Sequence, residues 1–342
     1  MTDIKSMTEA ELTAYFNALG QPAFRARQVF TWLHRGITSF DGMTDLSKSL
    51  RTQLAEQCFI TAPTVARKQV SRLDGTIKYL WELSDGNCIE SVLMRYHHGN
   101  TVCISSQVGC RMGCAFCAST IAGKVRDLRP SELLDQVLFT QLDSGVPISN
   151  IVLMGIGEPL DNMANVLRFL ELVNSPNGLH IGMRHISLST CGIVPMIDRL
   201  AAEGLPITLA ISLHAPNDTI RNRILPSSRH FKIEDVVAAA HRYFKKTGRR
   251  VTFEYILIKD VNASRENAEE LCRLVGKMNC HFNLIPINGT EHIKLYPPSW
   301  KDVKIFQEIL EKHGKSTTVR RQMGDEIQAA CGQLKRRYLE KK

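Results

Sequence analysis

No stretch of the 342-residue chain reaches the roughly 18 consecutive apolar residues that a membrane-spanning helix needs. The first segment, MTDIKSMTEAELTAYF, has no apolar core of the kind a secretory signal carries. Together these absences create the expectation of a cytoplasmic protein with no membrane partner. There is no low-complexity segment, no sequence repeat and no G-x-G-x-x-G fingerprint, so an array protein and a dinucleotide loop are set aside. The most informative absence is a fourth cysteine. Cys110, Cys114 and Cys117 stand in GCRMGCAFCAST at C-x-x-x-C-x-x-C spacing, and none follows close behind. A structural zinc site wants four ligands. The nearby candidates, His97, His98 and Cys103, lie upstream at spacings unlike a zinc knuckle or ribbon.

Three thiolates this close suit three of the four irons of a 4Fe–4S cluster. The fourth iron then has no protein ligand and is open to a small molecule, which turns an electron carrier into a reagent. With ten cysteines, three of them clustered, the chain reads as one of reduced thiols and ligands, not a disulfide framework. Length and an apolar content of 44 % allow one large α/β domain with a small accessory unit. A formal net charge of +9 leans toward a polyanionic partner. The basic residues gather at Lys245, Lys246, Arg249 and Arg250, at Arg320 and Arg321, in the tail around Lys335–Arg337, and at Arg25, Arg27 and Arg35. A solvated basic surface is the bland alternative.

Residues 1–60 read as helical. Thr8 and Glu11 form a capping box, Gly20 and Gly36 end helices, and Pro22 suits the first turn of the second. The period then changes to two, with strands expected at 64–70, 76–83 and 88–94 and an Asp74-Gly75 turn between the first pair. Residues 1–95 are therefore taken as an accessory unit with a helical head and a small β portion. Over 96–342 the pattern is strand, loop, helix, repeated. Strands are expected at 101–106, 149–154, 185–190, 206–213, 251–258, 281–286 and 316–320, with Ser131 and Ser264 at helix N-caps. About six βα units argue for a parallel barrel, open or closed, with its chemistry on loops after the strands' C-terminal ends.

Several polar groups fall at those ends. Gly155-Ile156-Gly157-Glu158-Pro159 follows the second strand, Ser189 ends the third, Ser212, Leu213 and His214 the fourth, and Asn288 the sixth. Each alone reads as a turn, a cap or a core histidine; their shared location raises them. Cys103 and Cys331, on residue type alone, read as small buried thiols.

The cysteine loop, with Phe116 just before the third cysteine, resembles that of radical S-adenosylmethionine (SAM) enzymes. The wider set CISSQVGCRMGCAFC, LAISLHAPND, ESVLMRY and GDEIQAACGQL resembles the RlmN/Cfr family of RNA adenosine methyltransferases over nearly the whole chain. That resemblance implies a partial (β/α)6 barrel, one 4Fe–4S cluster on Cys110, Cys114 and Cys117, and SAM held near Gly157, Glu158, Ser189, Ser212, Leu213, His214 and Asn288. It implies two SAM per turnover. One methylates Cys331. The other yields the 5′-deoxyadenosyl radical that activates that methyl for addition to adenine. Cys103 then resolves the covalent intermediate as a Cys103–Cys331 disulfide, with Glu90 the proton acceptor. The implied substrate is an adenosine of 23S rRNA, protein-free or partly assembled, and for some members the adenosine beside the tRNA anticodon. A flavodoxin- or ferredoxin-type donor and a monomeric state are expected. Pro159 after the glutamate favours carbon 2 over the carbon-8 chemistry of Cfr proteins and antibiotic resistance, while Gly289 after Asn288 departs from the usual Asn-Pro pattern. Competing readings are another radical-SAM reaction, such as glycyl-radical activation or sulfur insertion, and a non-enzymatic iron–sulfur regulator that binds nucleic acid.

Overall fold

The change of apolar period near residue 60 marks a change of structure. The computed structural model describes residues 1–287, 295–320 and 323–327. Before the change lie β1 (Thr2–Asp3), α1 (Glu9–Ala18), α2 (Phe24–His34), α3 (Lys48–Gln57) and β2 (Cys58–Phe59), which pairs parallel with β1. The expected capping box starts α1: Thr8 Oγ1 accepts from the Glu11 N–H at 3.2 Å, and Glu11 Oε2 accepts from the Thr8 N–H at 2.8 Å. Pro22 falls two residues ahead of α2, outside its first turn. The helices enclose their own apolar core, including Leu12, Phe16, Val29, Phe30 and Leu54, against Leu172 from beyond the head.

After the head, β3 (Thr64–Val70), β4 (Ile77–Glu82), β5 (Cys88–Tyr96) and β6 (Gly99–Cys103) form an antiparallel meander. A separate ribbon, β7 (Gln107–Gly109) with β8 (Lys124–Asp127), was not foreseen. Strands and helices then alternate: α4 (Pro130–Ser144), β9 (Asn150–Leu153), α5 (Met163–Asn174), β10 (Ile186–Thr190), α6 (Val194–Ala202), β11 (Thr208–Ser212), α7 (Asp218–Ile224), α8 (Ile233–Thr247), β12 (Val251–Leu257), α9 (Arg265–Val275), β13 (Cys280–Pro286), α10 (Trp300–Lys312) and β14 (Ser316–Val319). Among the described residues one ten-stranded sheet runs β14-β13-β12-β11-β10-β9-β6-β5-β4-β3. It is parallel from β6 through β9 to β14, with β14 and β3 as its two ends, so the barrel is open. The β portion expected inside an accessory unit is hydrogen-bonded into this sheet. A division at residue 95 therefore cuts a continuous sheet, whereas the helical head packs around an apolar cluster separate from the main one. No described helix is long and apolar enough to cross a membrane.

Ser131 does not cap α4. The helix starts one residue earlier at Pro130, whose fixed φ suits the first position, and Ser131 Oγ instead donates to Asp3 Oδ2 at 2.6 Å. Ser264 does cap α9 as expected. The head is held by a buried ion pair: Lys5 Nζ lies 2.7 Å from Asp135 Oδ1 of α4, and Thr61 Oγ1 donates to the other oxygen at 2.6 Å. At the other end of the chain, Glu326 Oε1 accepts from Ser71 Oγ at 2.7 Å and from the Arg72 N–H at 2.8 Å, while Asp74 Oδ2 accepts from the Gly324 N–H at 2.8 Å. Two carboxylates thus fasten the last described turn to the β3–β4 hairpin.

His34 is buried in the head, its ring stacked on Phe30 at 4.1 Å, and neither ring nitrogen has a hydrogen-bond partner. Burial, with the Lys5 charge second, pushes its imidazole down to about 4. An unfolded chain takes up that proton near pH ~6.5. The stability His34 contributes is therefore complete above that pH and is lost as pH falls through about 4. Urea unfolding is expected to show this residue costing about 3 kcal/mol of stability between pH 7.5 and 4. His34→Phe should remove that component, and an unchanged pH profile in the variant would contradict the assignment.

Candidate active site

Parallel strands put all their C-terminal ends on one edge, and the loops that leave them meet there. A cavity of about 330 Å³ opens at that edge, within the range of small-molecule sites. Its walls include Cys103, Cys110, Cys114 and Cys117, together with Gly157, Glu158, Ser189, Ser212 and His214.

The cysteine loop leaves β6 through the β7–β8 ribbon. Gly109 has φ +74°, and a Cβ there would sit 1.9 Å from the Gly123 carbonyl oxygen, so only glycine closes the ribbon's base. The loop is tied down by Asp161, which accepts from Gln107 Nε2 and Lys124 Nζ at 2.9 Å and also pairs with Arg111. The Ala115 N–H donates to the Ile224 carbonyl at 2.9 Å, anchoring the loop to the end of α7. The backbone at Gly155 and Gly157 approaches the chain's own 104–107 segment closely. Their Cβ atoms would lie 2.7 Å from Ile104 O and 2.6 Å from Gln107 Cβ.

Glu158 is buried. Its carboxylate accepts from the Leu160 N–H at 3.0 Å and the Cys191 N–H at 2.7 Å. Burial raises its pKa, and these amides work against that shift by solvating the charge. His214 sits edge-on to Phe116 at 4.9 Å. The Ile256 N–H donates to its Nδ1 at 3.1 Å, which places the proton of the neutral ring on Nε2. Burial first, then the nearby Arg221 charge, lowers its pKa to about 3, so it stays neutral near pH 7.

The three loop cysteines fit an iron–sulfur cluster. Burial pushes Cys110 up to about 11, with the charges of Cys117, Glu158 and Asp161 adding to it. Cys114 is raised by burial and then by Cys117 and Cys110. Thiols that oppose one another's ionisation in one cavity suit a polycationic group, which would displace their protons. Among the described residues no three His, Cys, Asp or Glu side chains converge as a single ion would need. All three thiols line the same cavity.

Other expected site residues are placed differently. Leu213 is wholly buried behind the cavity wall; its N–H donates to the Glu254 carbonyl at 3.1 Å. Glu90 lies deeper in β5, on the face that Val92, Met94 and Tyr96 present to the cavity, with Lys78 Nζ 3.8 Å from its carboxylate. Asn288 and Cys331 lie outside the described residues. Two residues went unnoticed in the sequence, Glu254, which lines the cavity, and Asn262, which lies behind it; Cys191, which on residue type reads as one more small buried thiol, also lines the cavity. Glu254 is a buried carboxylate accepting from Asn283 Nδ2 at 2.7 Å, and its one sequence signal was a charge inside the apolar run VTFEYIL. Arg320, expected in a phosphate-gripping patch, also lines the cavity.

Residues 2–60 match the ribosomal RNA large subunit methyltransferase N-terminal domain family, and residues 104–274 match the radical SAM superfamily. A protein of Lachnospira eligens named as a probable dual-specificity RNA methyltransferase RlmN is 52 % identical over 99 % of this chain and 97 % of its own length. One of the same name from Alkaliphilus oremlandii is 51 % identical over 99 % of this chain and 98 % of its own. The crystal structure of a radical SAM methyltransferase from Sphaerobacter thermophilus superposes with a TM-score of 0.92 at 44 % identity, covering 97 % of this chain and 99 % of that one.

His214 has φ +60°, a conformation that non-glycine residues seldom adopt. Asn262 holds it there: Nδ2 donates to the carbonyls of His214 at 2.7 Å and Ile256 at 2.6 Å, and Oδ1 accepts from the Ile258 N–H at 2.7 Å. Asn262→Ala leaves buried backbone groups unpaired and is expected to cost about 3 kcal/mol in urea unfolding. A loss under about 0.5 kcal/mol, typical of a surface change, would contradict this role.

Proposed function

The chain belongs to the RlmN family of radical SAM methyltransferases, and from that premise we propose that it methylates carbon 2 of an adenosine in 23S rRNA, and of the adenosine beside the tRNA anticodon, using two SAM per turnover. What supports the reading is one cavity shared by the three loop cysteines, Cys103 and Glu158. When bound there, the cluster on Cys110, Cys114 and Cys117 supplies one electron for reductive cleavage of the SAM sulfonium.

The chain's own residues do the rest. Glu158, its carboxylate solvated by two backbone amides, presents a fixed negative charge to the amino group of SAM. His214 offers an Nε2–H donor at the same wall, and Ser189 and Ser212 supply hydroxyls. The Cys331 thiolate accepts a methyl group from one SAM; the 5′-deoxyadenosyl fragment of the second SAM takes one hydrogen from that methyl, leaving as 5′-deoxyadenosine, and the carbon adds to the base as a covalent bridge. Cys103 faces the cavity from β6, opposite Val92 of β5, and Glu90 lies two residues along on the same face. Glu90 takes the ring proton as the adduct gives up one electron, the Cys103 thiol attacks the bridging sulfur, and the carbon that leaves sulfur is protonated to the finished methyl group. The methylated base leaves and a Cys103–Cys331 disulfide remains, which a reductant must open before the next cycle. The Glu326 and Asp74 contacts fasten the chain a few residues before Cys331 to the β3–β4 hairpin, within reach of the sheet that carries Cys103.

RNA must present a splayed-out base to so recessed a site, which suits protein-free or partly assembled rRNA. The helical head and the basic residues Arg35, Lys245, Lys246 and Arg250 are assigned to phosphate contacts, with salt-dependent binding. A flavodoxin- or ferredoxin-type protein is the assigned electron donor, and the enzyme is assigned to the cytoplasm as a monomer.

Cys103→Ala is expected to accumulate protein covalently joined to RNA, seen as a nuclease-trimmed adduct on denaturing gels, while turnover stops. Normal turnover without the adduct would remove Cys103 from the mechanism. Mass spectrometry of digested RNA from the wild type should show 2-methyladenosine, with one 5′-deoxyadenosine and one S-adenosylhomocysteine for each. The 8-methyl isomer as sole product would overturn the regiochemistry.

A further inference from the structure

We propose that the Arg221 guanidinium is a fixed counter-charge to the cluster, a buried cation behind the cavity wall that makes the cluster easier to reduce. This rests on the cluster reading above and adds a role for a residue that no step of the reaction uses.

Arg221 lies on α7 and is 0 % exposed. Its Nε donates to the Leu213 carbonyl at 3.2 Å and its Nη2 to the Cys191 carbonyl at 2.7 Å. Nη1 is buried with no hydrogen-bond partner, and no ion pair among the described residues includes this guanidinium. The nearest-acting carboxylate, Asp218, is spent on the Ile233 N–H at 2.8 Å. Two carbonyls could be satisfied by a neutral amide side chain. A full charge buried in no ion pair, with its one nearby carboxylate bonded elsewhere, is unfavourable unless further negative charge stands close by.

The surroundings indicate what that is. The end of α7 is the back wall of the cysteine loop: the Ala115 N–H binds Ile224 O, and Cys114 and Phe116 pack against the cluster of apolar side chains containing Ile224 and Leu225. A Cβ on Gly113 would lie 3.9 Å from Pro226. The charge of Arg221 acts on Cys114 and on Cys191, and Cys191 lines the cavity. Through the Cys191 backbone the guanidinium is one residue from Glu158, which accepts from the Cys191 N–H. A cubane on three thiolates is a net anion, and the added electron makes it more so. A fixed cation in a water-poor wall stabilises the reduced form more than the oxidised one, with little screening by salt. The alternative is that Arg221 only staples two carbonyls, in which case its charge has no effect on the potential.

The test is a potentiometric titration of the anaerobically reconstituted enzyme, following the EPR signal of the reduced cluster, with iron content and thermal melting measured on each sample. Arg221→Met, which removes the charge, should cut the reduced fraction at fixed potential at least tenfold, a downward midpoint shift of about 59 mV for one electron. Arg221→Lys should stay near the wild type. Asp218→Asn keeps an acceptor for Ile233 and removes a nearby anion, so its midpoint should move up. Equal midpoints for the wild type and Arg221→Met at equal iron content would reduce Arg221 to a staple. Should Arg221→Met fail to hold iron, an Asp218→Asn midpoint identical to the wild type would overturn the proposal equally. A native protein with no cluster defeats the cluster reading itself, whereas a cluster indifferent to these changes defeats only this inference.

Discussion

The shared edge of the parallel strands is the constraint on which everything else depends. Cys103, Glu158, Cys191, His214 and Glu254 are far apart in sequence, yet one side of an open sheet gathers them around a single cavity. Close packing makes that gathering specific. Gly109, Gly155 and Gly157 lie where any side chain would strike the backbone or side chains of neighbouring segments, so the cysteine loop and the loop after β9 take one mutual position. Asp161 then fixes the two by charge, through Lys124 and Arg111. The sheet supplies approximate placement, and glycines and ion pairs supply the remainder.

Burial of charge follows the same logic throughout the molecule. Lys5 and Asp135 are both desolvated, and the attraction between them offsets only part of that cost where the head meets the barrel, since burial still raises Asp135 to about 6. Glu158 is raised by burial and eased by two backbone amides, while Glu254 has only one side-chain amide and the field of Arg320. Arg221 is buried in no ion pair among the described residues, with Nη1 unpartnered, behind the wall of the cavity that three thiols share. Lys315, also buried, instead gives its ammonium to the Gly276 and Met278 carbonyls, away from the cavity.

Much of the fold was legible because period is a local property. The parallel strands, the β3–β5 meander and the capped helices α1 and α9 fell within a few residues of their expected places. The cysteine loop was legible because its spacing is short-range. Ser131 was misread because an N-cap signal cannot reveal that Pro130 starts the helix or that Asp3 will take the hydroxyl. The β7–β8 ribbon was missed because each strand is too short to show alternation. Asn262 was invisible, and Cys191 read as one more buried thiol, for a different reason: their importance lies in partners tens of residues away, such as Asn262 beneath the strained backbone of His214. Leu213 was read with its neighbours by position, while its side chain faces the core.

The central claim is that Cys110, Cys114 and Cys117 hold a four-iron cluster with one iron left open to SAM. Mössbauer spectroscopy of the iron-57 enzyme, prepared without oxygen and measured before and after SAM addition, tests it most directly. The account predicts about four irons and four sulfides per chain, one iron whose signal changes with SAM, and no such cluster in Cys114→Ala. Iron and sulfide absent from the native protein, a cluster in which no iron responds to SAM, or a cluster retained intact by Cys114→Ala would contradict it.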